Sequence, residues 1–171
     1  MSQQEISLVE PSIKLEAAFL TMANEFLAAG DERYKSALED FSAYFERLLK
    51  MARVENLPPD RVPGNEYWLV SDNCVLGRTT LRHWLIPALE QEGGHIGYDI
   101  RPSERRKGYG SLILKLTLLE AKDVGLNRVL LTCDADNIGS AKIIQSNGGV
   151  LSGRAVSEKN GKLILQYWIE L

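Results

Sequence analysis

A basic, glycine-containing segment joins an apolar strand to an amphipathic helix near residue 105. Gly108 and Gly110 lie one residue apart, and a glycine has no Cβ to keep a ligand away from the main chain. Arg105, Arg106 and Lys107 add three positive charges just before them. The helix that follows directs the positive end of its dipole to the same place. These features predict a binding site for an anion such as a phosphate group.

The glycine spacing excludes two common phosphate-binding motifs, because neither G-x-G-x-x-G nor G-x-x-x-x-G-K-[ST] occurs in the chain. The segment reads Arg105-x-x-Gly108-x-Gly110 and resembles the acetyl-CoA pyrophosphate loop of the GNAT (GCN5-related) N-acetyltransferase superfamily. Residues 136–141 (DNIGSA) and 147–149 (NGG) look like that family's next strand-to-helix junction and helix exit. A solvated basic turn that caps a surface helix is the alternative interpretation.

The resemblance implies a particular way of holding acetyl-CoA. Its pantetheine arm would lie in the gap between two splayed central strands, and main-chain amides of the loop would hold its pyrophosphate. Arg106 and Lys107 would reach the 3′-phosphate or the adenine. Asn137 matches a side chain that reaches toward pantetheine, although it fits equally well as a simple helix N-cap. The implied cofactor-binding residues are Tyr98, Asp99, Ile100, Arg105, Arg106, Lys107, Gly108, Tyr109, Gly110, Ser111, Asn137 and Ser140.

The catalytic positions depart from the family pattern. Where many relatives carry a glutamate and a tyrosine, this sequence has Thr132 and Ile144. The remaining candidates precede the loop: His95 as a general base acting through water, and Tyr98 as the acid that protonates the thiolate. A purely structural role is an alternative for His95. Because side chains alternate along a strand, His95 and Tyr98 are not expected to act as a simple pair.

Two functions are compatible with this pattern. The first is an acetyl-CoA-dependent N-acetyltransferase in which a primary amine of a small-molecule or peptidyl acceptor attacks the thioester directly in a ternary complex. The second is a non-catalytic acyl-CoA-binding sensor or regulatory module, which the substitutions at Thr132 and Ile144 favour. The sequence does not identify the amine.

Composition limits the classes further. The chain of 171 residues has the length of one domain, so we expect a single domain over residues 1–171, and its net charge of −3 gives no general attraction for nucleic acid. Cys74 and Cys133 have no metal-ligand or C-x-x-C spacing, so we expect neither a metal site nor a disulfide. Residues 1–5 lack leader features, and no apolar run is long enough to span a membrane. We therefore expect a cytoplasmic protein without membrane contact, and one that can form a homodimer.

The periodicity of apolar residues predicts an α/β (α+β) fold. We expect a mixed, mostly antiparallel seven-stranded sheet with a central splayed parallel pair and helices on both faces, the layout of the GNAT fold. The predicted helices cover residues 12–30, 31–51, 112–125 and 138–146, with a turn or short helix at 84–90. The predicted strands cover residues 5–9, 67–70, 74–83, 95–100, 128–133, 150–156 and 163–169.

Overall fold

The computed structural model describes residues 5–53 and 57–171, which form both strands and helices. In these residues the strands are β1 (Ile6–Val9), β2 (Gly64–Ser71), β3 (Cys74–Arg82), β4 (Ile96–Ile100), β5 (Arg128–Asp134), β6 (Val150–Val156) and β7 (Leu163–Glu170). The helices are α1 (Glu16–Ala28), α2 (Lys35–Glu39), α3 (Phe41–Met51), α4 (Pro87–Gln91), α5 (Tyr109–Asp123) and α6 (Ile138–Ser146). Short 3₁₀ turns precede α1 at Ile13–Leu15 and α5 at Pro102–Glu104. The prediction about leader features concerned residues 1–5, and residues 1–4 lie outside the described part of the chain.

The predicted single helix over residues 31–51 is wrong, because the chain forms two helices there. Asp40 adopts an extended conformation with φ of −153°, which ends α2. Its Oδ1 accepts a hydrogen bond of 2.9 Å from the backbone N–H of Ala43 and so caps α3. An aspartate is a favoured N-cap residue, and this local bond outweighs the continuous helical periodicity.

The strands form two antiparallel groups, with order β1-β2-β3-β4 in one and β5-β7-β6 in the other. The groups meet where the His95 N–H donates to the Leu130 carbonyl at 2.7 Å. Beyond this point the described parts of β4 and β5 form no ladder. The prediction of seven strands with a splay between these two is confirmed, and the splay divides the sheet into two halves.

Helices on opposite faces hold the first half of the sheet in place. Helices α1 to α3 cover one face, where the ring of Phe19 stacks on buried Trp68 with 4.5 Å between centroids. Helix α5 covers the other face, where the Thr117 hydroxyl donates to Thr79 Oγ1 at 3.1 Å across the interface with β3. Because β4 is the edge strand of this half and pairs with β3 along one side, its other edge faces the gap toward β5.

Two further observations concern the described residues. No helix among them combines the length and apolar character that crossing a bilayer requires. Nor do they contain a group of three or more histidine, cysteine, aspartate or glutamate side chains placed to hold a metal ion.

Candidate active site

The glycine-containing segment forms a tight turn that leads directly into α5. Gly108 is the N-cap of the helix and has a left-handed φ of 88°. Arg106 also lies in the left-handed region, with φ of 63°. Left-handed backbone is ordinary for glycine and costs energy for a residue with a side chain. The turn therefore brings successive amides around the start of the helix.

The main-chain N–H groups of residues 106–111 donate no hydrogen bond to any described residue. The first bond of α5 runs from the Leu112 N–H to the Gly108 carbonyl at 3.1 Å. Unpartnered N–H groups are normal for the first turn of a helix, and here they extend back into the preceding loop. Six donors in sequence at the positive end of a 15-residue helix can bind an anion.

Gly110 permits a close approach between α5 and α6. A Cβ at this position would lie 2.6 Å from Cδ1 of Ile143 on α6. The same helices are joined where Asn147 Nδ2 donates to Ser111 Oγ at 3.1 Å. Helix α6 thus forms a wall beside the loop amides.

The charged and aromatic residues of the loop differ in whether they line the cavity beside it. Lys107 forms an ion pair of 2.9 Å with Glu104, and neither residue lines the cavity beside the loop. The Tyr109 ring packs against an apolar cluster, and Tyr109 does not line the cavity either. Arg105 and Arg106 do line that cavity, which has a volume of about 460 Å³. Its other lining residues are Arg33, Tyr98, Asp99, Ile100, Gly110, Asn137, Gly139, Ser140 and Ile143.

Hydrogen bonding between β3 and β4 decides which main-chain groups of β4 face the gap. The Arg82 N–H donates to the His95 carbonyl, and the Arg101 N–H donates to the Leu76 carbonyl. Since bonded pairs alternate in an antiparallel ladder, the peptide groups of Asp99 point to β3 and those of Tyr98 and Ile100 point to the gap. The register therefore does not favour the main-chain role predicted for Asp99.

A second cavity of about 380 Å³ adjoins the first at Tyr98, Asn137 and Ser140, and it extends between β4 and β5. Asn137 Oδ1 accepts a hydrogen bond of 3.0 Å from the Ser140 N–H, as an N-cap does. The Asn137 Nδ2 has no partner among the described residues. The helix-cap role is thus present, and the amide nitrogen is left to donate to a ligand in either cavity.

Tyr98 provides a hydroxyl group where the two cavities meet. Its Oη lies 3.1 Å from Ser140 Oγ, and burial raises the pKa of Tyr98 to about 12. Ile144, at the position where relatives carry a tyrosine, is 1% exposed in the core one turn beyond Ser140. The hydroxyl therefore comes from the opposite wall and reaches the same face of α6. At the other altered position, Thr132 Oγ1 accepts a hydrogen bond of 2.8 Å from the Gly93 N–H.

His95 lies behind the cavities rather than in them. It is 7% exposed and lines neither of the two cavities. Its Nδ1 accepts a hydrogen bond of 2.9 Å from the Leu130 N–H, so a neutral ring carries its proton on Nε2. Burial and, to a lesser extent, the charge of Arg82 lower the pKa of His95. As a base acting through water, His95 would first have to release the Leu130 N–H.

Some cavity residues were not singled out by the sequence. Arg33 reaches the first cavity from the connection between α1 and α2, and Cys133 and Lys159 line the second. Glu92 also lines the second cavity, and its carboxylate accepts a hydrogen bond of 2.9 Å from Ser157 Oγ. The only local sequence signal for Arg33 is the turn that follows Gly30.

Comparisons with known proteins are consistent with this geometry. A search of curated protein sequences finds no match. Among solved structures, the ribosomal L7/L12 alpha-N-protein acetyltransferase RimL in complex with coenzyme A is 16% identical with a TM-score of 0.75, and 99% of this chain and 96% of that chain are covered. The microcin C7 self-immunity acetyltransferase MccE in complex with acetyl-CoA and AMP is 16% identical with a TM-score of 0.74, covering 99% and 94%. A spermidine N-acetyltransferase SpeG chimera from Vibrio cholerae and hSSAT is 14% identical with a TM-score of 0.69, covering 96% and 95%.

The similarity to these solved structures shows the fold, and a family model also shows the family. The model of the acetyltransferase (GNAT) domain matches residues 17–150, which include both walls of the gap and the loop. The chain therefore belongs to the GNAT acetyltransferase family, whose domain uses acetyl-CoA as cosubstrate.

Proposed function

We propose that the chain transfers the acetyl group of acetyl-CoA to a primary amine of a small molecule or a peptide, by direct attack within a ternary complex. The observation that carries this proposal is the row of unpartnered amides at residues 106–111, beside a cavity that continues into the gap between β4 and β5. A diphosphate fits the amides, and a thioester arm fits the gap.

The cosubstrate site follows from the main chain. The amides of residues 106–111 bind the diphosphate, and Arg106 adds charge at the same cavity. The free-edge peptide groups of Tyr98 and Ile100 hold the pantetheine arm. Asn137 donates its Nδ2 to that arm while its Oδ1 caps α6. Lys107 is paired with Glu104 and does not line the cavity, so its contact with the 3′-phosphate or the adenine stays a prediction.

The chemistry takes place where the two cavities meet. The deprotonated amine enters through the second cavity and its nitrogen attacks the thioester carbon. The bond from carbon to sulfur then breaks, and the departing thiolate takes a proton from the Tyr98 hydroxyl. The new amide nitrogen loses its extra proton, which returns to the Tyr98 oxygen through water. Orientation of the two substrates supplies much of the rate, because holding reactants in an attack geometry removes several kcal/mol from a barrier, of the order of 7 kcal/mol in well-aligned systems.

The acceptor amine must lose a proton before it attacks. Two carboxylates, Asp134 and Glu92, line the second cavity. Asp134 pairs with Lys162 at 3.3 Å, so we assign the role of base to Glu92, whose carboxylate lies 3.8 Å from Lys159 Nζ. It attracts a cationic amine and accepts the proton through water. The general-base role predicted for His95 stays a prediction, and its bond to Leu130 favours a positioning role between β4 and β5.

Four sequence predictions remain proposals. They are a single domain over residues 1–171, a homodimer, a cytoplasmic location and the absence of a nucleic-acid partner. Sedimentation equilibrium tests the second of these, since a homodimer requires a mass twice that of the chain.

An amine panel tests the proposed function. Release of free thiol from acetyl-CoA is followed with peptides carrying a free N-terminus, polyamines and single amino acids. These classes include the acceptor types named for RimL and SpeG. We expect sustained release with at least one class, and mass spectrometry finds the acetylated amine. Tight acetyl-CoA binding without turnover across the panel would contradict the proposal and favour a non-catalytic binding module.

A further inference from the structure

Arg33 belongs to the connection between α1 and α2, yet its side chain lines the cavity beside the loop. Arg105 and Arg106 line the same cavity, so three guanidinium groups surround it although one lies more than 70 residues earlier in the sequence. The Arg33 side chain is 43% exposed, which leaves it accessible to a ligand.

Two of these guanidinium groups lie close to one buried aromatic ring, that of Phe26. The guanidinium carbon of Arg33 lies 5.1 Å from the centre of the Phe26 ring, and that of Arg105 lies 5.5 Å from the same centre. Phe26 is fully buried and packs edge-on against Tyr34 at 5.0 Å, so the ring is a fixed surface. Two cations near one ring repel each other, and the Asp31 carboxylate, which pairs with Arg33 and interacts with Arg105, offsets part of this repulsion. An anion bound in the cavity would offset more of it.

The backbone and two carboxylates hold Arg33 in this position. Its N–H donates to Asp31 Oδ1 at 3.1 Å, and its Nε donates to Asp31 Oδ2 at 2.8 Å. One terminal nitrogen, Nη1, contacts Asp99 Oδ1, and the other lies 2.7 Å from Asp31 Oδ2. These contacts use at most three of the five guanidinium N–H groups. The remaining donors have no partner among the described residues and can bind a ligand in the cavity.

We infer that Arg33 is a further cosubstrate-binding residue, which contacts a phosphate group of acetyl-CoA from the side of the α1–α2 connection. This inference rests on the proposed function, since it requires acetyl-CoA to bind in this cavity. Arginine suits the role because its planar donors match phosphate oxygens in pairs.

The competing interpretation is that Arg33 is a structural brace, a residue that holds two segments together without contacting a ligand. Through Asp99, which also accepts a hydrogen bond of 2.9 Å from the Tyr34 hydroxyl, Arg33 could hold the α1–α2 connection against β4 without touching a ligand. A brace affects every thioester substrate equally. A phosphate contact affects only substrates that carry phosphate, and this difference makes the two interpretations separable.

The test compares two acetyl donors in the full-length protein. Acetyl-CoA carries the phosphates, whereas S-acetylpantetheine has the same thioester arm without them. For Arg33→Gln we expect KM for acetyl-CoA to rise about tenfold, as loss of a hydrogen bond to a charged group predicts, with kcat and the KM for S-acetylpantetheine unchanged. Arg33→Lys keeps the charge, so it should recover part of the acetyl-CoA affinity.

Lys35→Gln is the matched control, because Lys35 loses the same charge two residues away, pairs with Glu32 and does not line the cavity. It should leave both KM values as in the wild type. Equal rises for the two donors with Arg33→Gln would overturn the inference in favour of a brace, and no rise for either would overturn it by showing that Arg33 contacts no phosphate. A wild-type protein that uses neither donor would instead overturn the proposed function on which it rests.

Discussion

Glu25 on α1 holds Arg101, the residue that leads from β4 toward the loop. Its Oε1 accepts a hydrogen bond of 2.7 Å from Arg101 Nε, and Oε2 accepts one of 3.1 Å from the Ser103 N–H. The Ser103 hydroxyl donates to the same carboxylate at 3.1 Å. The Glu25 side chain on α1 thus fixes the 3₁₀ turn at Pro102–Glu104, which precedes the loop amides.

Replacement of Glu25 by glutamine should weaken both the fold and the cosubstrate site. We expect Glu25→Gln to lose about 1 kcal/mol of unfolding free energy at pH 7, because the partly buried pair with Arg101 loses its negative charge. The dissociation constant for acetyl-CoA should rise severalfold as the turn loosens. Urea unfolding and calorimetry measure the two effects. Glu39→Gln, at an exposed position on α2, is the control and should change neither.

The same pair predicts a pH dependence. Burial alone would raise the pKa of Glu25, but the hydrogen bonds from Arg101 and Ser103 outweigh it and lower the pKa below its usual 4.5. A lowered native pKa means that the unfolded chain binds more protons, so the contribution is complete above pH 4.5 and lost as pH falls through the native value. Unfolding curves of wild type and Glu25→Gln should therefore converge in acid. A constant difference between them at all pH values would contradict this assignment.

His95→Asn separates a positioning role from a catalytic one. The Asn Oδ1 can accept the Leu130 N–H in place of Nδ1, so the contact between β4 and β5 is kept while the titrating group is removed. We expect kcat to remain within about threefold of wild type and its pH profile to keep its shape. A fall in kcat of about a hundredfold, with loss of the limb near neutral pH, would instead establish His95 as the base.

Stability should also respond to His95. Because its native pKa is lowered below 6.5, the unfolded chain binds the extra proton more readily and wild-type stability falls as pH decreases below 6.5. The stability of His95→Asn should fall less as pH decreases, because the variant has no imidazole to protonate. Thermal unfolding at pH 7 and at mildly acid pH measures the difference, and identical pH dependence in the two proteins would contradict a buried neutral ring.

Gly108→Ala and Gly125→Ala form a matched pair for the loop. Both glycines have similar left-handed φ values, 88° and 89°, and a Cβ at either would meet nothing within 4 Å. Each alanine should therefore cost about 1 kcal/mol of stability by conformation alone. Only Gly108, at the N-terminus of α5, lies among the cosubstrate amides, so only its variant should weaken acetyl-CoA binding. Equal affinities in calorimetry would argue against the loop as the diphosphate site.

The loop and the strands around it could be predicted from sequence because their signals are local. Gly108 and Gly110 mark a turn at fixed spacing, and Asn137 marks the start of α6. The break at Asp40 was also a local signal, but the helical periodicity on both sides concealed it.

Other features depend on contacts between distant segments and could not be predicted. The ring of His95 meets the Leu130 N–H only because β4 and β5 pack side by side, and Arg33 reaches Asp99 across 66 residues of sequence. The orientation of the Asp99 peptide groups depends on which residue pairs of β3 and β4 exchange main-chain hydrogen bonds. The alternation of side chains in the sequence predicts the face on which a strand residue lies, but it does not predict which pairs are hydrogen-bonded.

Tyr98→Phe tests the proposed acid. The variant keeps the ring and loses only the hydroxyl that lies 3.1 Å from Ser140 Oγ, so we expect kcat to fall about a hundredfold with little change in the KM for acetyl-CoA. Since burial raises the Tyr98 pKa to about 12, the hydroxyl stays protonated at neutral and mildly alkaline pH, and the wild type should show no alkaline loss from it there. Tyr67→Phe is the control, because burial also raises the Tyr67 pKa to about 12 but this residue lines neither cavity. Steady-state rates measured from pH 6 to about pH 10 decide the assignment: equal kcat values for the two variants would remove Tyr98 from the chemistry and leave water as the proton donor to the thiolate.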